Sequence, residues 1–205
     1  MSSKSKLSFT IEKTEPLYKG FFHAARYYFR HSLFRGGESN LVAREAFLRT
    51  PAAAALLYDE KLDNVVLVEQ LRVGAMIEAG ANAESAWMLE VVAGIAEPGE
   101  KPEDVVMREA VEESGCLITE LKPIFAYYPS PGACNEVIHL FCGLVDSSNA
   151  GGIHGLDSED EDIRVHVIKA TDALAMLDDG KINNATTIIA LQWLRTYRSQ
   201  RTSAG

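Results

Sequence analysis

The chain has few cysteines, no excess of basic charge and no long apolar run, and each absence argues against a class of protein. The three cysteines are odd in number and form no Cys-x-x-Cys pair, so neither a disulfide framework nor a cysteine zinc site is expected. Acidic residues outnumber lysine and arginine by 29 to 20, for a net charge of −9. Nucleic acid and anionic membranes attract basic surfaces, so neither is expected as the main partner.

Apolar runs are also too short for a membrane protein. The run at 137–145 falls far below the roughly 20 residues that a membrane-spanning helix requires, and the start, MSSKSKLSFTIEK, lacks the apolar core of a secretory signal. The composition, 47% apolar and 24% charged residues, is that of a globular protein. We therefore expect a cytoplasmic protein in a reducing compartment, built as one domain with at most a small additional lobe.

Turn residues divide the chain into two predicted parts. Residues 7–49 combine three β-prone stretches, at 7–11, 25–34 and 41–48, with glycines at turns, which predicts a small antiparallel β lobe. With Pro51 at the boundary, the N-terminal lobe spans 1–49 and the main domain 50–205. Main-domain strands are predicted at 52–58, 65–70, 87–92, 124–128, 137–145 and 163–168, and helices at 102–114, 171–179 (with Thr171 as N-cap) and 185–198. This mixture indicates an α+β fold with α/β/α layers.

The segment 94–116, GIAEPGEKPEDVVMREAVEESGC, carries the strongest chemical signal. In the predicted helix, Glu109 and Glu113 lie one turn apart on the same face, and Glu112 lies beside Glu109. Like charges at this spacing repel one another by a few tenths of a kcal/mol per pair, whereas a hard divalent cation such as Mg²⁺ or Mn²⁺ removes the repulsion. Two or three glutamates alone are more often a solvated helix face, so the wider pattern has to decide.

That pattern is Gly94, five residues, Glu100, seven residues, and then Arg108-Glu109-Ala110-x-Glu112-Glu113-x-Gly115-Cys116. It resembles the Nudix box in full. Further segments, including LYKGFF, VVLVEQLRVGA, PSPGACNE and IALQWL, are similar to the ADP-ribose pyrophosphatases of the bacterial Nudix hydrolase family over nearly the whole chain. The resemblance implies a Nudix α/β/α sandwich domain and an exchanged N-terminal β lobe. It also implies a homodimer whose active site lies at the dimer interface.

The resemblance also implies a role for individual residues. The implied metal ligands are the carbonyl of Ala93 and the carboxylates of Glu109, Glu113 and Glu161. Glu159, in the acidic stretch 157–162, is the implied general base, and Glu112 is expected to assist with metal or water. The residues with an implied structural role in the motif are Gly94, Glu100, Arg108 and Gly115. Without the resemblance, the stretch 157–162 reads as a solvated loop.

For the substrate, the resemblance implies that Phe21 stacks on adenine, that Arg44 and Arg72 contact the ligand, and that Glu136 of the partner subunit contacts the terminal ribose. Pro131 matches a proline associated with ADP-ribose preference. Other interpretations stay open at this stage, since Phe21 suits core packing and either arginine suits a surface ion pair. The five histidines form no ligand pattern.

The expected reaction is hydrolysis of the pyrophosphate bond of ADP-ribose to AMP and ribose 5-phosphate, with two or three Mg²⁺ ions per site and Mn²⁺ as a substitute. The expected partners are a small nucleoside diphosphate sugar and a second copy of the chain. One alternative is hydrolysis of another nucleotide sugar, such as GDP-mannose. A second alternative is a non-catalytic Nudix domain that senses nucleotides.

Overall fold

The computed structural model describes residues 7–80 and 82–202, and the side chains of Glu159 and Thr202 lie outside the description. The chain divides into two compact units. The smaller unit contains the chain up to Thr50 together with Tyr128–Glu136, and the larger contains Pro51–Tyr127 and the chain from Val137 onward.

The smaller unit is built on a three-stranded antiparallel sheet in the order β1-β2-β3. Its strands are β1 (Phe9–Lys19), β2 (His23–His31) and β3 (Val42–Leu48). The predicted small antiparallel sheet is therefore confirmed, although β1 extends well beyond the stretch at 7–11 that the sequence indicated.

The segment Tyr128–Glu136 joins this unit, although the division at residue 49 assigned it to the main domain. The backbone N–H of Phe47 in β3 donates to the carbonyl of Ala133 at 2.7 Å. The backbone N–H of Arg49 donates to the side-chain oxygen of Asn135, also at 2.7 Å. These contacts join residues more than 80 positions apart, so local sequence patterns carry no signal for them.

The larger unit contains an eight-stranded mixed sheet in the order β10-β11-β5-β4-β9-β8, with β6 paired to β5 and β7 to β4. The strands are β4 (Ala52–Asp59), β5 (Asn64–Leu71), β6 (Trp87–Glu90), β7 (Val92–Ile95), β8 (Glu120–Tyr127), β9 (Ile138–Leu144), β10 (Gly152–His154) and β11 (Ile163–Lys169). The helices are α1 (Val73–Ala79), α2 (Pro102–Ser114), α3 (Ala170–Asp178) and α4 (Ala185–Thr202). Strands β4 and β9 run parallel, and the other pairs are antiparallel.

The side chains of β4 alternate between the two faces of the sheet, and each face packs against its own layer of helices. Successive strand side chains point to opposite faces, so Ala53, Ala55 and Leu57 pack in one core with Val105 and Val106 of α2. The intervening residues of β4 pack in a second core with α3 and α4. The continuous apolar run in β5 is buried on both faces for the same reason. The predicted α/β/α sandwich is confirmed.

Local boundaries agree with the prediction at some places and differ at others. Helix α2 begins at Pro102 and ends before Gly115, which adopts the left-handed conformation with φ of 68°, as its role at the C-terminus requires. The single strand predicted at 87–92 is wrong, because the chain forms β6 and β7 with different partners. Thr171 is not an N-cap, since α3 already begins at Ala170. Helix α1 was not predicted. No described helix is both long and apolar enough to span a membrane.

Candidate functional site

The chain turns from β7 into α2 so that the carboxylate of Glu109 lies directly over Gly94. The Glu109 side chain lies so close to Gly94 that a Cβ at this position would come within 1.7 Å of Glu109 Oε1. Only glycine leaves room for the carboxylate there. Burial raises the pKa of Glu109, and the carboxylates of Glu112 and Glu161 add to the effect, while Arg108 opposes it.

Arg108 connects the acidic residues of this segment. Its guanidinium donates two hydrogen bonds to Glu100, at 3.1 and 3.2 Å, and its Nη1 donates to Glu109 at 2.7 Å and to Glu112 at 2.9 Å. Glu100 also accepts the backbone N–H of Glu97, and the two sets of donors hold the pKa of Glu100 below its ordinary value. One guanidinium thus ties the loop before α2 to the acidic face of the helix, using its fixed fork of donors.

Glu113 is the most deeply buried carboxylate of the site, with 3% of its surface exposed. The backbone N–H of Ala93 donates to Oε2 at 3.0 Å, and the amide of Gln70 donates to Oε1 at 3.3 Å. Burial raises the pKa of Glu113 to about 8; the charge of Glu109 adds to the shift, while the two hydrogen bonds and the positive charge of Arg72 oppose it. A nearby cation would stabilise the ionised form of this buried carboxylate.

The acidic loop between β10 and β11 is anchored to α2. The backbone N–H of Gly155 donates to the carbonyl of Glu112 at 3.2 Å, and the backbone N–H of Leu156 donates to the carboxylate of Glu161 at 3.3 Å. Glu161 acts electrostatically on Glu109, so the loop and the helix contribute charge to one region. Glu159 ends a 3-10 turn, Asp157–Glu159, and its side chain lies outside the described residues.

Arg72 lies at the end of β5, before α1, and its Nε donates to the carboxylate of Glu90 on β6 at 2.5 Å. The ion pair that the sequence left open as an alternative is therefore present. With 40% of the Arg72 side chain exposed, part of it also remains accessible to a ligand.

The smaller unit contains three of the residues expected to contact substrate, and two of them belong to one connected chain of contacts. The Phe21 ring is 87% exposed, which excludes core packing for it, and it meets Phe22 edge-on with centroids 4.9 Å apart. The guanidinium of Arg49 lies 4.7 Å from the centroid of Phe22 and forms an ion pair of 3.2 Å with Glu136. The contacts thus link Phe21 to Glu136.

Arg44 lies on β3 of the same unit, and its Nη1 donates to the neighbouring carbonyl of Ala43 at 2.7 Å. It borders a mainly apolar cavity of about 680 Å³ whose lining includes Tyr27, Tyr128 and Pro131. Aromatic walls with a few polar groups, here including Arg44 and Glu45, are typical of pockets that accept a small organic ligand.

The donor chemistry of the site fits a hard divalent cation. Glu109 and Glu113 supply carboxylate oxygens, Gly94 leaves space beside one of them, and burial with mutual repulsion makes a positive charge favourable there. Within residues 7–80 and 82–202, no three histidine, cysteine, aspartate or glutamate side chains already converge as a metal cage. Arg108 instead forms ion pairs with Glu109 and Glu112.

Two residues of this site, Gln70 and Glu90, were not predicted from the sequence. The signal for Gln70 was present, because a polar residue that continues an apolar strand needs a buried partner. Glu90 carried no such signal, since its pairing with Arg72 depends on the contact between β5 and β6.

The chain is similar to known proteins in sequence and in fold. The chain is 47% identical to the ADP-ribose pyrophosphatase of Haemophilus influenzae over 91% of this chain and 85% of that protein. It is 36% identical to the GDP-mannose pyrophosphatase of Citrobacter koseri over 75% of this chain and 78% of that protein. A solved structure of an ADP compounds hydrolase has the same fold, with a TM-score of 0.72 and 18% identity over 97% of this chain and 98% of that chain. The NUDIX domain family model matches residues 48–190, and the chain therefore belongs to the Nudix family.

Proposed function

We propose that this Nudix enzyme hydrolyses the pyrophosphate bond of ADP-ribose to AMP and ribose 5-phosphate. The observation that carries the proposal is a pair of carboxylates on one face of α2, the half-buried Glu109 over Gly94 and the buried Glu113 on the next turn. The named activity of a relative that is 47% identical supports the choice of substrate. We place the reaction in the cytoplasm.

We propose two or three Mg²⁺ ions as the cofactors, with Mn²⁺ as a substitute. Glu109, Glu113 and Glu161 would hold them, together with the carbonyl of Ala93. When bound, such ions neutralise the charge of the pyrophosphate and lower the pKa of a bound water. Arg108 has the separate task of holding Glu109 and Glu112 against their mutual repulsion.

We propose Glu159 as the general base, with Glu112 assisting. The support lies in the backbone of the loop, because Gly155, which precedes the 3-10 turn, is bonded to the carbonyl of Glu112. A carboxylate that accepts the proton of the attacking water contributes roughly 10²–10⁴-fold to the rate.

We propose that Phe21 stacks on the adenine ring and that Arg44, Arg72 and Glu136 contact the rest of the ligand. The exposed Phe21 ring packs against Phe22, which in turn contacts the guanidinium of Arg49. Its flat apolar face is therefore available for stacking, and an aromatic side chain loses little conformational entropy when it stacks. We also propose that the enzyme is a homodimer in which the N-terminal lobe is exchanged between subunits.

The second candidate is hydrolysis of GDP-mannose, which the 36% identity to a GDP-mannose pyrophosphatase favours. A non-catalytic nucleotide sensor is the third, and the intact acidic positions of the box argue against it.

Turnover of ADP-ribose, GDP-mannose and other nucleotide sugars with Mg²⁺ tests the proposal. We expect the highest kcat/KM for ADP-ribose, no turnover with EDTA, and AMP with ribose 5-phosphate as products. A preference for GDP-mannose would contradict the proposed substrate, while hydrolysis of a pyrophosphate bond would remain the reaction. Tight binding of ADP-ribose without turnover, at any Mg²⁺ concentration, would favour the sensor.

A further inference from the structure

Strand β5 contains one buried amide where its apolar pattern predicts another aliphatic residue. Val66 and Val68 face α2 and pack in the core on that side. By the two-residue period of a strand, Gln70 continues the same face. Gln70 is 8% exposed and therefore retains little contact with water. Burying an amide is unfavourable unless it finds a hydrogen-bond partner, and the partner of Gln70 is Glu113.

The two donors on Glu113 define its orientation. The backbone N–H of Ala93 holds Oε2 and the side chain of Gln70 holds Oε1, so each oxygen has one donor. A carboxylate has about four acceptor positions, which leaves a free position on each oxygen. The terminal torsion of a glutamate is otherwise broad, and a single donor would leave one oxygen free to move.

Glu109 and Glu113, which share one face of α2, are held by different means. Glu109 is paired with the charged Arg108, which competes with any cation for the same oxygen. Gln70 is neutral, so it can orient Glu113 without competing through charge. A neutral amide is the kind of neighbour that supports a metal ligand and stays in place when the ion binds.

We infer that Gln70 is a positioning residue that holds the Glu113 carboxylate in the orientation in which it accepts a divalent cation. This inference rests on the proposed function, because it takes Glu113 to be a metal ligand. Gln70 is not expected to touch the substrate or the reacting water. Its effect should therefore appear in metal affinity and not in the KM for ADP-ribose measured at saturating metal.

The test is calorimetric titration of the full-length protein with Mn²⁺ alone, without substrate. Gln70→Met preserves the length and apolar volume of the side chain and removes the donor. We expect its Kd for Mn²⁺ to rise by roughly tenfold or more, as is typical when a residue that supports a metal ligand is lost. At saturating Mg²⁺, the KM for ADP-ribose should stay within about twofold of the wild-type value, since ground-state contacts to the substrate are unchanged.

Val68→Ala is the matched control, because it lies two residues earlier on the same face of β5 and in the same core. We expect it to lower Tm while leaving Mn²⁺ affinity unchanged. If Gln70→Met fails to fold, Gln70→Asn replaces it, since its amide is one methylene too short to reach Glu113.

Wild-type Mn²⁺ affinity in the Gln70 variant would overturn the inference, as would an equal loss in Val68→Ala, which would show a general effect of packing. These results would leave the proposed function intact. A wild-type protein that binds no Mn²⁺ would overturn the metal site and the inference together. A wild-type protein that binds Mn²⁺ but does not hydrolyse ADP-ribose would overturn only the substrate, and the comparison of Mn²⁺ affinities would still decide the role of Gln70.

Discussion

Replacement of Gly94 by alanine tests whether the position of Glu109 over β7 determines activity. A Cβ at residue 94 would lie 1.7 Å from Oε1, 2.2 Å from Cδ and 2.6 Å from Cγ of Glu109. Non-bonded heavy atoms prefer separations near 3.5 Å, so the carboxylate must retreat by roughly 1.5–2 Å. Misplacing a catalytic group by about 1 Å can lower the rate about 10²-fold, and we expect at least that loss in kcat/KM for ADP-ribose with Mg²⁺.

Stability should change little in the same variant. Gly94 has no positive φ, so alanine introduces no backbone strain, and the atoms in its way belong to the end of a flexible side chain. We expect a free energy of unfolding within about 1 kcal/mol of the wild type in urea titrations. The control is Gly74→Ala in α1, where a Cβ meets nothing within 4 Å and alanine should stabilise the helix by about 0.5–1 kcal/mol at full activity. Wild-type activity in Gly94→Ala would refute the steric argument, and so would loss of the fold.

Four further outcomes test the chemistry and the fold. Glu113→Gln should abolish hydrolysis and weaken calorimetric Mn²⁺ binding while unfolding stays cooperative; retained affinity and rate would show that Glu113 is not a ligand. Glu159→Gln should lower kcat by roughly 10²-fold or more with Mn²⁺ binding preserved. If Glu161→Gln has that effect and Glu159→Gln has none, the two roles must be exchanged. Hydrolysis of ADP-ribose in ¹⁸O-water should place the label in AMP, as attack at the adenosine-side phosphorus requires, and label in ribose 5-phosphate would move the attack to the other phosphorus. Burial opposes the ionisation of Asp59, but hydrogen bonds led by those from Ser147 hold the pKa of Asp59 below the ordinary 3.8. The ionised Asp59 therefore stabilises the fold fully above pH 3.8, and this contribution is lost as the pH falls through the lower pKa of the folded state. Asp59→Asn should therefore reduce the free energy of unfolding by about 1.5–3 kcal/mol at pH 7 and by less near pH 3; a difference that does not vary with pH would contradict the assignment.

The sequence predicted α2 well because the signals that define it are local. Pro102 and Gly115 determine where the helix begins and ends through their own backbone preferences. The shared face of Glu109 and Glu113 follows from the helical period alone. The strands β4 and β5 were equally clear, since a continuous apolar run in a short segment is typical of a strand buried on both faces.

Contacts between distant segments were not predictable in the same way. The break between β6 and β7 arises because the two strands pair with different neighbours, while their sequence reads as one β-prone run. The segment 128–136 joins β3 through backbone bonds that any residue types can form. Helix α1 spans only seven residues, which is too short for the window of roughly 11–18 residues in which a helical period can be recognised.

The amino-acid sequence by itself determined the chemistry available to this protein, because the acidic positions and glycines of the Nudix box lie within 23 consecutive residues. Only the tertiary structure decided how those groups are held. Arg108 engages three carboxylates at once, Gly94 lies beneath Glu109, and Gln70 reaches Glu113 from a strand 43 residues earlier in the chain. These arrangements depend on packing between the sheet and α2. Packing is a property of the folded chain as a whole, and for that reason no local pattern encodes it.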